Sequence, residues 1–277
     1  MAEKVEVVAE IGKNWIFTEN ELSVQENLEM AKALVSKAKE SGADVAKFQC
    51  HVFEDEKYKR HESRYEWIKR NERATPYNEF WVPLKAYCDK LAIEMLVTPM
   101  SVMAAQKINP LVKRWKIGSA DIVNMPLVNY IVAGNKPVLA STGMSSKQQV
   151  HNFIIGLMGA ASRFTIMHCV SIYPCPEDKL NLGTIIWLRE QFHIPVGFSD
   201  HSLSVEVPAY AVVAGAKIIE KHMTLDRSAF GPDHRISLLP NEFKEMVENI
   251  RMAEVLFGVK DKILWDEEQA LWSKFRV

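Results

Sequence analysis

The lysines of VAKFQC (45–50) and WKIGSA (115–120) are the first candidates for chemistry, because they interrupt apolar stretches. A buried ammonium group without a partner is costly, so Lys47 and Lys116 require a counter-charge. One interpretation is an ion pair with a carboxylate, Glu10 or Glu94. The other is an anion shared by both lysines, such as a phosphate alone or together with a carboxylate. The hydroxyl groups expected around this anion belong to Thr98, Ser119, Ser141 and Ser199.

Two histidines follow apolar runs later in the sequence, His201 in FSDHS and His222 in EKHMT. If these runs are neighbouring strands, the two imidazoles converge and are able to bind a divalent transition metal. Spacing alone leaves open that both are hydrogen-bonded core histidines. Cys169 and Cys175 are candidate nucleophiles, but the sequence places no base beside them, which favours buried or loop thiols.

The elements that position these residues follow from hydrophobic periodicity. Eight short apolar runs, beginning with VEVVAEI (5–11), alternate with segments of helical period. The first helix is expected over about 24–41, behind a capping box formed by Ser23 and Glu26. Continuous apolar strands between helices indicate a parallel sheet. The pattern predicts an α/β fold, a (β/α)8 TIM barrel as one domain over residues 1–277. A doubly wound open sheet is the weaker alternative, because no G-x-G-x-x-G follows the first strand.

A barrel places functional side chains at the carboxyl ends of its strands. Each of the eight predicted strands has polar residues in or just after it, which helix capping alone does not explain. The segment DRSAFGPDHRIS (226–237) follows the eighth strand. Turn chemistry explains its Gly231 and Pro232, but not the charged residues around them.

Composition excludes several classes of protein. Lys and Arg total 34 against 35 for Asp and Glu, so no basic excess indicates nucleic-acid binding. No run of 18 apolar residues predicts a membrane span, and the start MAEKVEVVAEIG lacks the layout of a signal peptide. The four cysteines are scattered without a C-x-x-C pair, which disfavours a disulfide scaffold and a thiolate zinc site. The expectation is a reduced, cytoplasmic protein that binds neither nucleic acid nor membrane.

In sequence order, the motifs resemble those of the N-acetylneuraminate (sialic acid) synthase family, which includes legionaminic and pseudaminic acid synthases. The motifs are AEIGKN (9–14), KFQ (47–49), TP-S (98–101), KIGSAD (116–121), STGM (141–144), HCVSIYP (168–174), GFSDHS (197–202), EKHMTLD (220–226) and GPDH (231–234). The resemblance implies a phosphoenolpyruvate-dependent (β/α)8 barrel. Its expected reaction joins phosphoenolpyruvate to an open-chain aldose of the N-acetylmannosamine type, giving a nine-carbon 2-keto acid and phosphate. It also implies a divalent metal, manganese, with magnesium or cobalt as alternatives, and a homodimer.

The resemblance also implies roles for individual residues. Lys47 and Lys116 would grip phosphoenolpyruvate, and His201 and His222 would hold the metal. Glu10 and Glu220 would join the lysines as catalytic groups, Glu10 by orienting the attacking water or taking its proton. The hydroxyl groups around phosphoenolpyruvate would be those of Thr98, Ser119, Ser141, Ser171 and Ser199. The acceptor sugar would contact Gln49, Tyr173 and Asp233.

The sequence departs from the family pattern in three places. Trp15 stands where the family often has His, and Ser171 stands where many members have Asn. The sequence ends at WSKFRV, about where the antifreeze-like domain of the family begins, so a more open barrel mouth is expected. The segment 51–76 has no match and follows the second strand, which places it on the catalytic face. It is expected to form a partial lid that supplies sugar contacts, with a solvated surface helix as the other interpretation.

Two other functions stay open at this point. One is a different phosphoenolpyruvate aldol-type synthase, which would make a seven- or eight-carbon keto acid from a phosphorylated aldose. The sequence shows no second basic cluster for a sugar phosphate, which favours the N-acetylmannosamine type. The other is a barrel that binds these substrates without turnover.

Overall fold

Eight parallel strands form a nearly closed barrel in the computed structural model, which describes residues 4–259 and 261–275. Residues 1–3, 260, 276 and 277 of the predicted domain lie outside the described residues. The strands are β1 (Glu6–Gly12), β2 (Val45–Cys50), β3 (Glu94–Pro99), β4 (Trp115–Ile117), β5 (Val138–Ser141), β6 (Phe164–Cys169), β7 (Val196–Asp200) and β8 (Ile218–His222). The predicted TIM barrel is confirmed and the open sheet is wrong, because the first and last strands pair with each other.

Helices connect the strands and cover the barrel. The α-helices of the described part are α1 (Val24–Glu40), α2 (Phe53–Glu56), α3 (Tyr65–Ala74), α4 (Val82–Lys90), α5 (Val102–Ile108), α6 (Met125–Ala133), α7 (Lys147–Gly156), α8 (Gly183–Phe192), α9 (Val207–Val213), α10 (Pro240–Phe257) and α11 (Asp266–Phe275). The capping box of Ser23 and Glu26 begins α1 as predicted. No helix of the described residues combines the length and the apolar character needed to cross a membrane.

Three local features differ from the periodicity-based expectation. A π-helical turn (Tyr77–Trp81) precedes α4, whereas the helical period of the sequence predicts one continuous helix from about Asn78 to Lys90. Strand β4 ends early because the chain turns into a 3-10 helix (Ser119–Asp121), closed by a hydrogen bond from the Asp121 amide to the Gly118 carbonyl at 2.9 Å. Helix α11 was not predicted, because its large apolar residues are exposed and give no core-facing stripe.

The barrel interior is built in layers, because side chains two residues apart point to the same face of a strand. An apolar cluster fills its lower part, formed by Val8, Val45, Leu96, Leu139, Met167 and Ile218. Two residues further along the same strands stand Glu10, Lys47, Thr98, Ser141, Cys169 and Glu220. Gly197 of β7 makes room for Met167, since a Cβ atom there would lie 2.3 Å from the Met167 sulfur. The strand period therefore sets a polar layer directly on an apolar one.

Candidate active site

A cavity of about 430 Å³ opens at the carboxyl ends of the strands. All fourteen residues to which the resemblance assigns a role line it: Glu10, Lys47, Gln49, Thr98, Lys116, Ser119, Ser141, Ser171, Tyr173, Ser199, His201, Glu220, His222 and Asp233. They come from seven of the strands and from the segments that follow β4, β6, β7 and β8, so the fold alone brings them together. The structure confirms their proximity, and their individual roles stay predictions.

The floor of the cavity is a network of buried ions. The Nζ atom of Lys47 lies 2.7 Å from Oε2 of Glu10 and donates to Oγ1 of Thr98 at 3.3 Å. Lys116 donates to Oε1 of Glu220 at 3.2 Å, and the same oxygen lies 3.6 Å from Lys47. The ion-pair interpretation of the lysines is thus correct for Glu10. It is wrong for Glu94, which instead accepts hydrogen bonds from Arg114.

The two lysines have unequal charge environments. Burial lowers the pKa of Lys116, and the positive charge of Lys47 lowers it further against the opposing effect of Glu220. Burial also opposes the charge of Lys47, but the carboxylates of Glu10 and Glu220 outweigh it and raise the pKa. Glu220 itself stays ionised, because Lys116 and Lys47 overcome its burial and lower its pKa to about 2. The network therefore stabilises the charged forms of Lys47 and Glu220, whereas it disfavours the charge of Lys116.

Hydroxyl groups border this network, and some of them have free hydrogen-bonding capacity. The buried Oγ atoms of Ser141 and Ser171 have no hydrogen-bond partner among the described residues. Ser199 donates to Glu220 at 2.9 Å, and the Gly143 amide donates to Ser119 at 3.1 Å. Buried hydroxyls are normally paired, so the unpartnered ones fit a ligand that accepts hydrogen bonds in the cavity.

His201 and His222 lie side by side, with ring centroids 5.5 Å apart. Nδ1 of His201 lies 2.8 Å from the Val170 carbonyl, to which it donates, so its Nε2 carries the free lone pair. Nδ1 of His222 is buried without a partner among the described residues, and burial lowers the pKa of this ring to about 4. Burial opposes the charge of His201, but its contacts with Cys169 and the Val170 carbonyl outweigh burial and raise the pKa of this ring. With the proton on Nδ1 alone, the His201 ring could join His222 in binding a divalent transition metal. The described residues hold no group of three or more His, Cys, Asp or Glu side chains that could bind a metal.

Nine further residues line the cavity, among them Lys13, Arg64 and Cys169, to which the resemblance assigns no role. The Cys169 sulfur lies 3.8 Å from Nδ1 of His201. Because this nitrogen donates its proton to the Val170 carbonyl, it does not act as a base for the thiol. Cys169 lies two residues beyond Met167 on the same strand, and this strand period indicates that its side chain also faces the barrel interior. Cys175, in contrast, is buried outside the cavity. Trp15 is also buried elsewhere, where it packs against Phe80 with ring centroids 5.2 Å apart.

The segment 51–76 lies on the catalytic face, as predicted. Arg60 pairs with Asp121 at 2.6 Å, and Trp67 stacks on Phe230 with centroids 5.3 Å apart. Arg70 donates to the carbonyls of Thr18, Glu19 and Asn20. The segment is therefore fastened to three loops of the barrel mouth and differs from a solvated surface helix. Arg64 is the residue of the segment that lines the cavity.

A second cavity of about 720 Å³ lies next to the first, against α7 and α8. It shares the wall residues Met144, Cys169 and Ser171 with the first cavity. Although it is larger, it contains only Ser171 from the predicted site residues. The lysines and glutamates of the predicted site and the two histidines line the smaller cavity, which is therefore the candidate active site.

The fold and the cavity define a (β/α)8 barrel with its site at the carboxyl face. A family model described as NeuB family matches residues 34–262, and the chain belongs to this family. It is 38% identical over 257 residues to an uncharacterized protein of Methanocaldococcus jannaschii, covering 92% of this chain and 75% of that one. It is 35% identical over 261 residues to N,N'-diacetyllegionaminic acid synthase of Legionella pneumophila, and the match covers 87% of this chain and 72% of that protein. The structure is also similar to the crystal structure of N-acetylneuraminic acid (sialic acid) synthetase from Leptospira borgpetersenii in complex with citrate. The TM-score is 0.87 at 29% identity, and the match covers 98% of this chain and 91% of that one.

Proposed function

We propose that the protein is an enzyme that condenses phosphoenolpyruvate with an aldose of the N-acetylmannosamine type to a nine-carbon 2-keto sugar acid and phosphate. The observation that carries the proposal is the buried layer of Lys47, Lys116, Glu10 and Glu220 beneath unpartnered hydroxyls. Family membership and the likeness to sugar-acid synthases support it.

Phosphoenolpyruvate is the anion proposed for the floor of the cavity. Its phosphate and carboxylate would form ion pairs with the ammonium groups of Lys47 and Lys116. The hydroxyls of Ser141 and Ser171 would donate hydrogen bonds to its oxygens. The two lysines would thereby neutralise the negative charge of phosphoenolpyruvate. Otherwise this charge would repel the negative charge that develops on the second substrate above it.

The proposed reaction is balanced as one water consumed and one phosphate released. C3 of phosphoenolpyruvate attacks the aldehyde carbon, and the carbonyl oxygen takes up a proton as the carbon–carbon bond forms. Positive charge then develops at C2, where water adds and loses a proton. The bond between C2 and the phosphate oxygen then breaks, and the C2 hydroxyl passes its proton to the leaving phosphate, which leaves the 2-keto group. Glu10 is the carboxylate proposed to orient the water or accept its proton.

The acceptor aldose is proposed to bind nearer the rim, against Gln49, Tyr173 and Asp233. Gln49 is held by its hydrogen bond to Glu10 at 2.8 Å, and the Tyr173 ring lies 4.1 Å from that of His201. His201 and His222 are the proposed ligands of a divalent metal, most simply manganese. When bound there, the metal would polarise the aldehyde carbonyl.

The test is phosphate release from phosphoenolpyruvate in the presence of Mn²⁺ and a panel of aldoses, with the product mass determined. Release with N-acetylmannosamine or its derivatives, and a nine-carbon product, is expected. Release only with four- or five-carbon aldose phosphates would instead identify the seven- or eight-carbon synthase. Calorimetric binding of phosphoenolpyruvate without release with any aldose would identify a binding barrel.

A further inference from the structure

Each histidine of the candidate site stands next to one member of a buried ion pair. Asp200 precedes His201 at the end of β7. Lys221 precedes His222 at the end of β8. Asp200 and Lys221 are partners in the parallel register of the two strands, and the Lys221 Nζ atom lies 2.5 Å from Oδ2 of Asp200. A direct ionic contact therefore joins the two strands immediately before the two rings.

This ion pair faces away from the cavity. Successive side chains of a strand point to opposite faces of the sheet, and Ser199 and Glu220, one position earlier on each strand, line the cavity. Asp200 and Lys221 consequently lie on the outer face of the barrel wall, where their exposed fractions are 1% and 0%. Because neither is among the residues that line the cavity, an effect on a ligand there has to pass through their neighbours.

The pair also organises the chain that follows His201. The Lys221 ammonium group donates to the Ser202 carbonyl at 2.7 Å and to the Ser204 carbonyl at 3.1 Å. Asp200 accepts hydrogen bonds from the Ser202 amide at 2.8 Å and from the Ser202 hydroxyl at 3.0 Å. His201 therefore lies between two residues, Asp200 and Ser202, that both bond to the same lysine of β8.

Stability alone does not account for a fully buried ion pair in this place. Removing two charges from water costs about as much as their attraction returns, and apolar residues of similar volume often replace such a pair without loss of stability. The ion pair differs from an apolar contact because it fixes a distance and a direction. This matters for His222, since its Nδ1 atom has no partner among the described residues and the position of its ring depends on the strand.

We infer that the ion pair of Asp200 and Lys221 positions the rings of His201 and His222 relative to each other, and so holds them in the arrangement proposed to bind a divalent metal. The pair is a positioning element that contacts the metal in no step. Replacing residues that orient metal ligands typically changes metal affinity roughly 10–100-fold. The inference rests on the proposed function for the metal, whereas the placement of the two rings is measurable without one.

The test uses the double variant Asp200→Asn/Lys221→Met, because Lys221→Met alone leaves a buried carboxylate unpaired and strongly destabilises the barrel. Urea unfolding verifies the fold, and calorimetry should give a Kd for Mn²⁺ at least about tenfold above that of the unaltered protein. Asp200→Asn alone is the milder second variant and should raise the Kd in the same direction.

Glu94→Gln is the control for loss of an ion pair away from the histidines. It removes the carboxylate that pairs with Arg114 at 2.8 Å, at the opposite end of the barrel. This variant should bind Mn²⁺ like the unaltered protein. A folded double variant that binds Mn²⁺ with unchanged affinity would overturn the inference.

Histidine NMR of the metal-free protein separates this inference from the proposed function. In the unaltered protein, His201 should show the tautomer with its proton on Nδ1, which the hydrogen bond to the Val170 carbonyl favours. We expect a mixture of both tautomers in the double variant and the single tautomer in Glu94→Gln. If the unaltered protein binds no Mn²⁺, the proposed metal site fails, and this spectrum decides the inference. An unchanged His201 signal in the folded double variant would refute it.

Discussion

The Nζ atom of Lys116 lies 3.2 Å from Oε1 of Glu220, and both side chains are at least 95% buried. This pair spans the barrel from β4 to β8, with Lys47 completing the contact from β2. Neither charge is close to bulk water, so each depends on the other for compensation. The pair is therefore a sensitive point for both the stability and the charge of the cavity.

Lys116→Ala should weaken phosphoenolpyruvate binding by at least about tenfold. Truncating one member of a buried, hydrogen-bonded charge pair costs roughly 2–5 kcal/mol, partly because the other charge is left unpaired. The measurement is the KM for phosphoenolpyruvate, with the melting temperature followed to detect unfolding. Lys113→Ala, at an exposed neighbouring position, is the control. An unchanged KM in a folded Lys116 variant would remove this lysine from the proposed site.

Gly143→Ala should abolish most turnover without unfolding the barrel. A Cβ atom at Gly143 would lie 2.2 Å from Oγ of Ser171 and 2.7 Å from Oγ of Ser119, so both hydroxyls must move. We expect kcat/KM to fall by at least about tenfold, because misplaced groups lose orientation as well as binding. Gly156→Ala is the matched control, since a Cβ atom there meets no atom within 4 Å. Equal activity of the two variants would contradict the prediction.

His222→Ala should eliminate Mn²⁺ binding measured by calorimetry, and treatment with a chelator should abolish turnover of the unaltered protein. Two imidazoles supply the proposed protein ligands, so loss of one leaves a single weak donor. His193→Asn changes an exposed histidine at the end of α8 and should bind the metal normally. Retained Mn²⁺ binding by His222→Ala would show that the metal assignment is wrong.

Trp67→Ala should raise the KM of the acceptor at least threefold more than that of phosphoenolpyruvate. The Trp67 ring stacks on Phe230 at 5.3 Å and helps to fasten the segment 51–76 over the rim, above the deeper anion site. A loosened segment would hold Arg64 less firmly, which affects the outer substrate first. Tyr58→Ala is the control, because this side chain is 83% exposed. Equal changes in both constants would argue against a lid.

The stability of the protein should decrease as the pH falls below about 6.5, with His168 as one source. Nε2 of His168 donates to the Leu180 carbonyl at 2.7 Å, and burial lowers the pKa of the ring. The pKa of His168 is lower in the folded protein than in the unfolded chain, so the unfolded chain takes up the proton first as the pH falls. The stabilisation is therefore complete above the unfolded pKa and decreases as the pH falls towards the folded pKa. His168→Gln keeps an amide donor but cannot take up the proton. As the pH falls, its free energy of unfolding should therefore decrease less steeply than that of the unaltered protein, by up to about 1.4 kcal/mol per pH unit. Urea unfolding at several pH values measures this slope, and identical slopes would contradict the assignment.

The barrel and the members of its site were predictable because they depend on short-range patterns. An apolar run of a few residues predicts a strand, and the polar residue two positions beyond Val8 or Val45 then faces the barrel interior. The partners of the charges were less predictable. Glu94 lies at the start of β3, at the end of the strand opposite Thr98, so it pairs with Arg114 and not with the site lysines. Arg64 belongs to the segment that was predicted to reach the catalytic face, but its proximity to Lys13 depends on how a loop folds back, which periodicity does not describe.

The apolar cluster beneath the polar layer also has a kinetic consequence. Within the described residues, Val8, Val45, Leu96, Leu139, Met167 and Ile218 pack together below the site and close its base. A ligand at the level of Lys47 must therefore arrive before one at the rim, and it is trapped while the outer ligand stays bound. For the proposed reaction, this architecture predicts that phosphoenolpyruvate enters first, that the aldose follows, and that a dead-end complex forms whenever the aldose alone occupies the mouth.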